Sequence, residues 1–271
     1  MSNRIQRIQH AAHIRARDLR DRIERIGKPR NIFFLHIMKT AGTSMRLMLE
    51  RRLREEMYPW RRDIKQNHRH QYLPNADLVE RFREEDKRWP RRRVIIGHYP
   101  YVLAAEVFPK PFIATFLRDP VKRTLSIIAH RRRKSPEFAD CSITEILQHR
   151  PFVEGQVLNY QTRVFAINDP MVHVNARGTT SEADCQRALE RLARTGFVGL
   201  TERFEESLAL FHKRTGIRFH ERPRKDNVSQ PLQASAEELA MIESLVEHDQ
   251  RLYQAATERF ERHLQATGLS S

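Results

Sequence analysis

Three segments of the 271-residue sequence end an apolar run in residues able to handle anions or protons. The first is IFFLHIMKTAGTS at 32–44, where Lys39, Gly42 and the hydroxyls of Thr40, Thr43 and Ser44 follow an Ile/Phe-rich stretch. A helix N-terminus presents free N–H groups and a partial positive charge, so a phosphate or sulfate can dock on such a turn. Gly42 allows close approach of the backbone, and Lys39 sets a mobile ammonium against developing charge. The familiar phosphate loop G-x-x-x-x-G-K-[ST] places its lysine after the second glycine. Here Lys39 comes first and Ile37 stands five residues before Gly42, which disfavours ordinary ATP or GTP hydrolysis. The plain alternative for this segment is a capped helix after a buried strand, with a solvated lysine.

The second segment, FLRDPVKRTLS at 116–126, puts Arg118 at the end of another apolar run and Ser126 about two helical turns on. The planar fork of arginine suits a separate phosphate, so the two segments together imply a ligand carrying phosphates at two positions. A local Arg118–Asp119 ion pair is the competing reading. The third segment is Gly97-His98-Tyr99-Pro100. His98 ends a strand, and its reference pKa near 6.5 suits general-base work. The competing reading is a structural histidine at a turn. His36, before the first loop, reads as a packed residue.

The elements that must hold these residues alternate. Asn31–Ile37, Val94–Ile96, Phe112–Leu117 and Phe197–Leu200 read as buried strands, too short and too rich in Ile, Val and Phe for helices. Helices are predicted from a Thr43 or Ser44 cap through Leu53, around Leu78–Phe82, after Pro120, in three pieces over 142–195, over Glu202–Thr215, and as one long element over Ala236–His263. Residues 57–90 otherwise read as loop, as does Pro223–Pro231. Ile5, Ile8, Ala12, Leu19 and Ile26 define an amphipathic N-terminal helix, stopped by Gly27-Lys28-Pro29, that packs on its own domain, on a second copy or on anionic lipid. Strands alternating with helices predict an α/β domain with a central, mainly parallel sheet, which binds ligands at the carboxyl ends of its strands. The expected organisation is the N-terminal helix at 1–29 and one α/β domain at 30–271.

The chain has 49 Lys+Arg against 34 Asp+Glu, a formal net charge of +15, so an anionic partner or substrate is expected. Its two cysteines, Cys141 and Cys185, have no metal-like spacing and fit a reducing compartment. His68-x-His70 lacks further ligands at suggestive positions, so no metal is expected. With no signal-peptide pattern and no apolar run near the ~20 residues that span a bilayer, the expected location is the cytoplasm.

These segments carry a family resemblance. HIMKTAGTS resembles the 5′-phosphosulfate loop of the carbohydrate sulfotransferases that use 3′-phosphoadenosine 5′-phosphosulfate (PAPS), with Met38 where those enzymes have proline. FLRDPVKRTLS resembles their 3′-phosphate motif. Gly97-His98-Tyr99-Pro100 and GLTERFEESL at 199–208 are similar to segments of the family 2 branch, which includes uronyl and heparan sulfate 2-O-sulfotransferases.

The resemblance implies a P-loop-like three-layer fold and sulfuryl transfer from PAPS to a hydroxyl of a carbohydrate or glycolipid, releasing 3′,5′-adenosine bisphosphate (PAP). Lys39 would contact the bridging oxygen, Thr40, Ala41, Gly42, Thr43 and Ser44 would hold the 5′ end, and Arg118 and Ser126 would hold the 3′-phosphate. His98 would be the base, and a single one, because the position two residues earlier is Ile96 where some relatives carry a second histidine. Arg163, in the NYQTR segment, would meet an acidic group of the acceptor, and Lys225, Asn227 and Ser229 would close over the nucleotide. Two competing classes stay open: a nucleotide or small-molecule kinase with a variant phosphate loop, and a basic nucleic-acid-binding protein. The second lacks a recognition helix, zinc pattern or stacking-aromatic motif.

Overall fold

Every strand pairing among the described residues of the computed structural model is parallel, within one five-stranded sheet. Residues 26–53, 57–58, 73–85, 93–219 and 232–269 are described. The helix expected over 4–26, the His68-x-His70 pair and Lys225, Asn227 and Ser229 lie outside them.

The strands are β1 (Asn31–Leu35), the two-residue β2 (Met57–Tyr58), β3 (Arg93–Gly97), β4 (Phe112–Leu117) and β5 (Phe197–Leu200), ordered β2-β3-β1-β4-β5. Helices α1 (Gly42–Leu53), α2 (Asn75–Glu85), α3 (Leu103–Val107), α4 (Pro120–Lys134), α5 (Ile143–Gln148), α6 (Arg150–Gln156), α7 (Tyr160–Ala166) and α8 (Glu182–Arg194) precede β5. After it come α9 (Phe204–Thr215), α10 (Ala236–Leu245) and α11 (Glu247–Thr267).

Central β1 is covered on both faces, which is why IFFL is continuously apolar instead of alternating. A run of rings crosses the sheet: Phe34 lies 6.2 Å from Phe116, Phe116 5.7 Å from Phe197, and Phe197 5.1 Å from Phe211 of α9. A second apolar cluster joins α4, α5, α6 and α10 through Ile127, Ile128, Ile143, Phe152, Ile242 and Val246. No described helix is long and apolar enough to cross a membrane.

The strands at 94–96, 112–117 and 197–200 stand where the sequence pattern puts them. Several expectations are corrected, among them that 142–195 holds three helical pieces: it holds four, α5 to α8. Strand β1 stops at Leu35, so His36 and Ile37 belong to the loop that follows, and β2 adds an edge pairing inside the stretch read as loop. Helix α1 begins at Gly42, so Thr43 and Ser44 sit within its first turn instead of capping it. The long C-terminal helix is two helices, broken at Val246, whose φ of −126° and ψ of 24° are not helical. The break has a tertiary cause. The Asn159 N–H donates to the Leu245 carbonyl at 3.1 Å, and its Oδ1 accepts from the N–H groups of His248 and Asp249, which start α11.

Because all strands run the same way, their C-terminal tips share one edge of the sheet. Chain continuations leave β1 toward β2 on one side and β4 toward β5 on the other, so the crevice between the tips of β1 and β4 is a topological switch point, the usual ligand position in an open parallel sheet.

Candidate functional site

The loop after β1 is shaped by its backbone. Lys39 (φ 68°) and Ala41 (φ 62°) both occupy the left-handed region, whereas Thr40 and Gly42 between and after them do not. Alternation of this kind turns successive N–H groups toward one concavity, the arrangement that binds anions in phosphate loops. Left-handed φ is costly for residues with a Cβ, so surrounding contacts must hold the turn. Thr40 is one: it is 1% exposed and its hydroxyl donates to the Ile37 carbonyl at 2.9 Å. That proton is committed to the loop itself, so Thr40 shapes the turn, while Thr43 stands exposed and Ser44 half-buried at the start of α1.

Gly42 has a different role from the one its sequence position suggests. A Cβ there would lie 1.7 Å from Cδ2 and 2.1 Å from Nε2 of His36. The glycine therefore makes room for an imidazole, in a backbone conformation that any residue could adopt.

His36 is buried, and its ring lies 4.3 Å from that of His98, tilted by 31°. Pairing of Leu35 with Gly97 places both histidines one residue beyond neighbouring strand ends, and the His36 N–H donates to the Gly97 carbonyl at 2.8 Å. His98 Nδ1 lies 2.5 Å from the His36 carbonyl. A carbonyl only accepts, so Nδ1 carries the hydrogen and Nε2 keeps its lone pair. Burial holds the pKa of His98 down to about 4, offset in part by that hydrogen bond and reinforced by His173 and Arg46. His36 is likewise pushed well below 6.5, first by burial and then by His98 and Arg46. Both rings are neutral at neutral pH.

On the other side of β1, Arg118 leaves the tip of β4 and its Nη1 donates to the Lys39 carbonyl at 3.2 Å. The Gln161 side chain grips both main-chain groups of Arg118: Oε1 accepts from its N–H at 3.0 Å and Nε2 donates to its carbonyl at 2.8 Å. Gln161 is held in turn by buried Asp249, whose carboxylate accepts from the N–H groups of Gln161 (3.1 Å) and Thr162 (2.7 Å). Asp119 caps α4 by accepting from the Lys122 N–H at 2.8 Å, and its charge acts on Arg118 less strongly than that of Glu202. The carboxylate nearest that guanidinium is Glu202, 3.9 Å from Nε, which also accepts from the Asp119 N–H and the Tyr253 hydroxyl. Ser126 lies half-buried two turns into α4.

Cations crowd this crevice. The Lys39 pKa is pulled down to about 8 by burial and then by Arg133, Arg118 and Arg123, while His130 falls to about 4 through burial and the charges of Lys39, Arg133, Arg131 and Lys134. Glu202 beside Arg118 and buried Asp249 near Arg123 offset part of this charge, and the cations that depress Lys39 and His130 leave a net positive field suited to a multiply charged anion.

Arg163 corrects an expectation. It is 5% exposed, and its guanidinium donates to the carbonyls of Glu154, Gly155 (2.8 Å), Ala176 (3.2 Å) and Gly178 (3.2 Å). It ties α6 to the 176–178 turn and does not present itself to an acceptor. The 199–208 segment is likewise structural in part. Thr201 donates to the Leu117 carbonyl at 3.0 Å, joining the tips of β5 and β4, and Arg203 pairs with Glu206 and Glu261. Sequence reasoning passed over Arg123, Gln161, Asp249 and His130, although Arg123 and Gln161 lie inside segments already singled out.

No family model matches the chain, and no curated protein gives a significant match to it.

Proposed function

We propose that the protein is a PAPS-dependent sulfotransferase acting on a hydroxyl of a carbohydrate or glycoconjugate. The observation that carries this reading is the contact between the Arg118 guanidinium and the Lys39 carbonyl, which places two separately built cationic tips on one crevice. A donor with phosphate at both ends of its ribose satisfies both. The β1–loop–α1 unit acts as a P-loop-like cradle for the 5′-phosphosulfate, and Arg118, with Ser126 on the following helix, takes the 3′-phosphate.

His98 Nε2 accepts the proton of the incoming alcohol, whose oxygen forms a bond to sulfur as the bond between sulfur and the bridging phosphate oxygen breaks. The electron pair of that bond stays on the 5′-phosphate, where Lys39 offsets the charge. The products are the sulfate ester and PAP, and the proton on His98 returns to water. The neutral state and fixed tautomer of His98 support its assignment, because Nε2 needs no prior deprotonation to act as a base.

The reading is tested by incubating the protein with ³⁵S-labelled PAPS and a panel of glycans, glycolipids and small hydroxylated metabolites. Label transferred to an acceptor by wild type, and lost in Lys39→Ala, supports it. Absence of transfer together with γ-phosphate transfer from ATP and magnesium favours the kinase class instead.

A further inference from the structure

Arg123 is 0% exposed, yet it is a full cation beneath the candidate anion crevice. Its Nε donates to the Met38 carbonyl at 3.1 Å, at the entrance to the left-handed Lys39 turn, and its Nη2 donates to the Gln156 carbonyl at 2.9 Å, at the end of α6. The guanidinium lies over the Tyr160 ring, 4.2 Å from its centroid, and Tyr160 is the residue before Gln161. Nη1 has no hydrogen-bond partner among the described residues. Burying a cation with incomplete pairing is expensive, so a neutral side chain of similar volume would be the cheaper core filler. The position makes sense if the charge and the fork hold something that a neutral side chain would release. The loop entrance is held by Arg123 and the Arg118 backbone by Gln161, and the two holders meet at adjacent residues of α7.

Resting on the sulfotransferase reading, we propose that Arg123 is a positioning residue that fixes the spacing between the two anion sites by locking the Met38–Lys39 turn to the α6–α7 frame, with Gln161 as its counterpart on the Arg118 side. Neither residue touches the donor. Their effect is on discrimination: a frame of fixed span lets one ligand engage both cationic tips, whereas a loosened frame reduces the bisphosphate to a one-site ligand.

The experiment uses the full chain as wild type, Arg123→Met, Arg123→Lys and Gln161→Met. Amide hydrogen exchange over 36–44 is followed without ligand, and PAP and 5′-AMP affinities are measured by calorimetry. The expected result for R123M is faster exchange over 36–44 with β5 and α9 unchanged, and a PAP-to-AMP affinity ratio reduced about tenfold or more. R123K, which keeps the charge but replaces the planar fork with a single donor nitrogen, recovers part of the ratio, and Q161M lowers the ratio without speeding exchange at 36–38. If R123M does not fold, R123K and Q161M still decide the matter through the same two readouts. An unchanged ratio and unchanged loop exchange, with stability alone reduced, overturns the proposal. Wild type that binds neither nucleotide overturns the sulfotransferase reading, and loop exchange in R123M then decides the positioning role by itself.

Discussion

The Arg118 Nη1 atom donates to the Lys39 carbonyl across 3.2 Å, although 79 residues separate the two in the chain. The contact joins the tips of β4 and β1 directly. It also uses one arm of the guanidinium fork on the protein, and Nε lies buried 3.9 Å from Glu202, so the arm left for a ligand is Nη2. Arg118→Lys keeps the charge but cannot span both tasks. PAP affinity in R118K is expected to fall about tenfold or more, read by calorimetry, with 5′-AMP affinity nearly unchanged.

His98→Gln removes the proposed base and preserves much of the shape. Loss of a positioned general base costs on the order of 10²–10⁴ in turnover. The expected outcome is a fall of that size in kcat with PAP affinity within about threefold of wild type; an equal fall in both would make His98 a binding residue.

The pH profile follows from two depressed pKa values. His98 must be unprotonated, so the acid limb of kcat/KM lies near pH 4, and Lys39 must be protonated, so activity declines as pH rises through about 8. A bound polyanion favours the charged form of each, so both limbs of kcat move upward from those of kcat/KM. Initial rates across the pH range, under limiting and saturating donor, check this directly.

Stability has its own pH dependence. Between pH 4 and 6.5 the unfolded chain binds a proton at position 98 that the folded protein does not. Unfolding free energy therefore rises with pH across that window and is lost as pH falls through it, by roughly 1–3 kcal/mol for one histidine. Buried His36 acts in the same direction. Urea titrations at several pH values are expected to show this slope, and His98→Gln reduces it to the share left by the other buried histidines.

Gly42→Ala and Arg163→Ala test structural roles. The added methyl meets the His36 ring at 1.7 Å, so G42A should cost about 1–3 kcal/mol and disturb the adjoining histidine pair. R163A leaves carbonyls of the α6 end and the 176–178 turn without their donor, at about 3–5 kcal/mol. Chemical denaturation measures both. A stable R163A protein with a raised acceptor KM would restore the acceptor-contact role that the geometry removes.

The alternation of short apolar runs with helical patterns made the α/β class legible, because a strand covered on both faces has to be continuously apolar and IFFL is. The placement of Lys39, His98 and Arg118 beyond the tips of β1, β3 and β4 was legible because each follows such a run. The shape of the loop was not. Left-handed φ at Lys39 and Ala41 goes against local preference and is held by groups distant in sequence, including Arg123 and Arg118. The break at Val246 is hidden for the same reason, since Asn159 imposes it from 87 residues away. Gly42 carries a constraint hidden from the sequence, because the space where its Cβ would stand is filled by His36. Arg163 misled because a guanidinium spent on main-chain carbonyls leaves no mark in the side-chain pattern.

The central claim is that one ligand spans the tips of β1 and β4, and calorimetric titration with PAP, 5′-AMP and 3′-AMP tests it most directly. PAP is expected to bind at least about 100-fold more tightly than either monophosphate, as two linked sites do, and to lose that advantage in both Lys39→Ala and Arg118→Ala. Equal affinity for all three nucleotides, or a PAP advantage that survives both substitutions, would contradict the account.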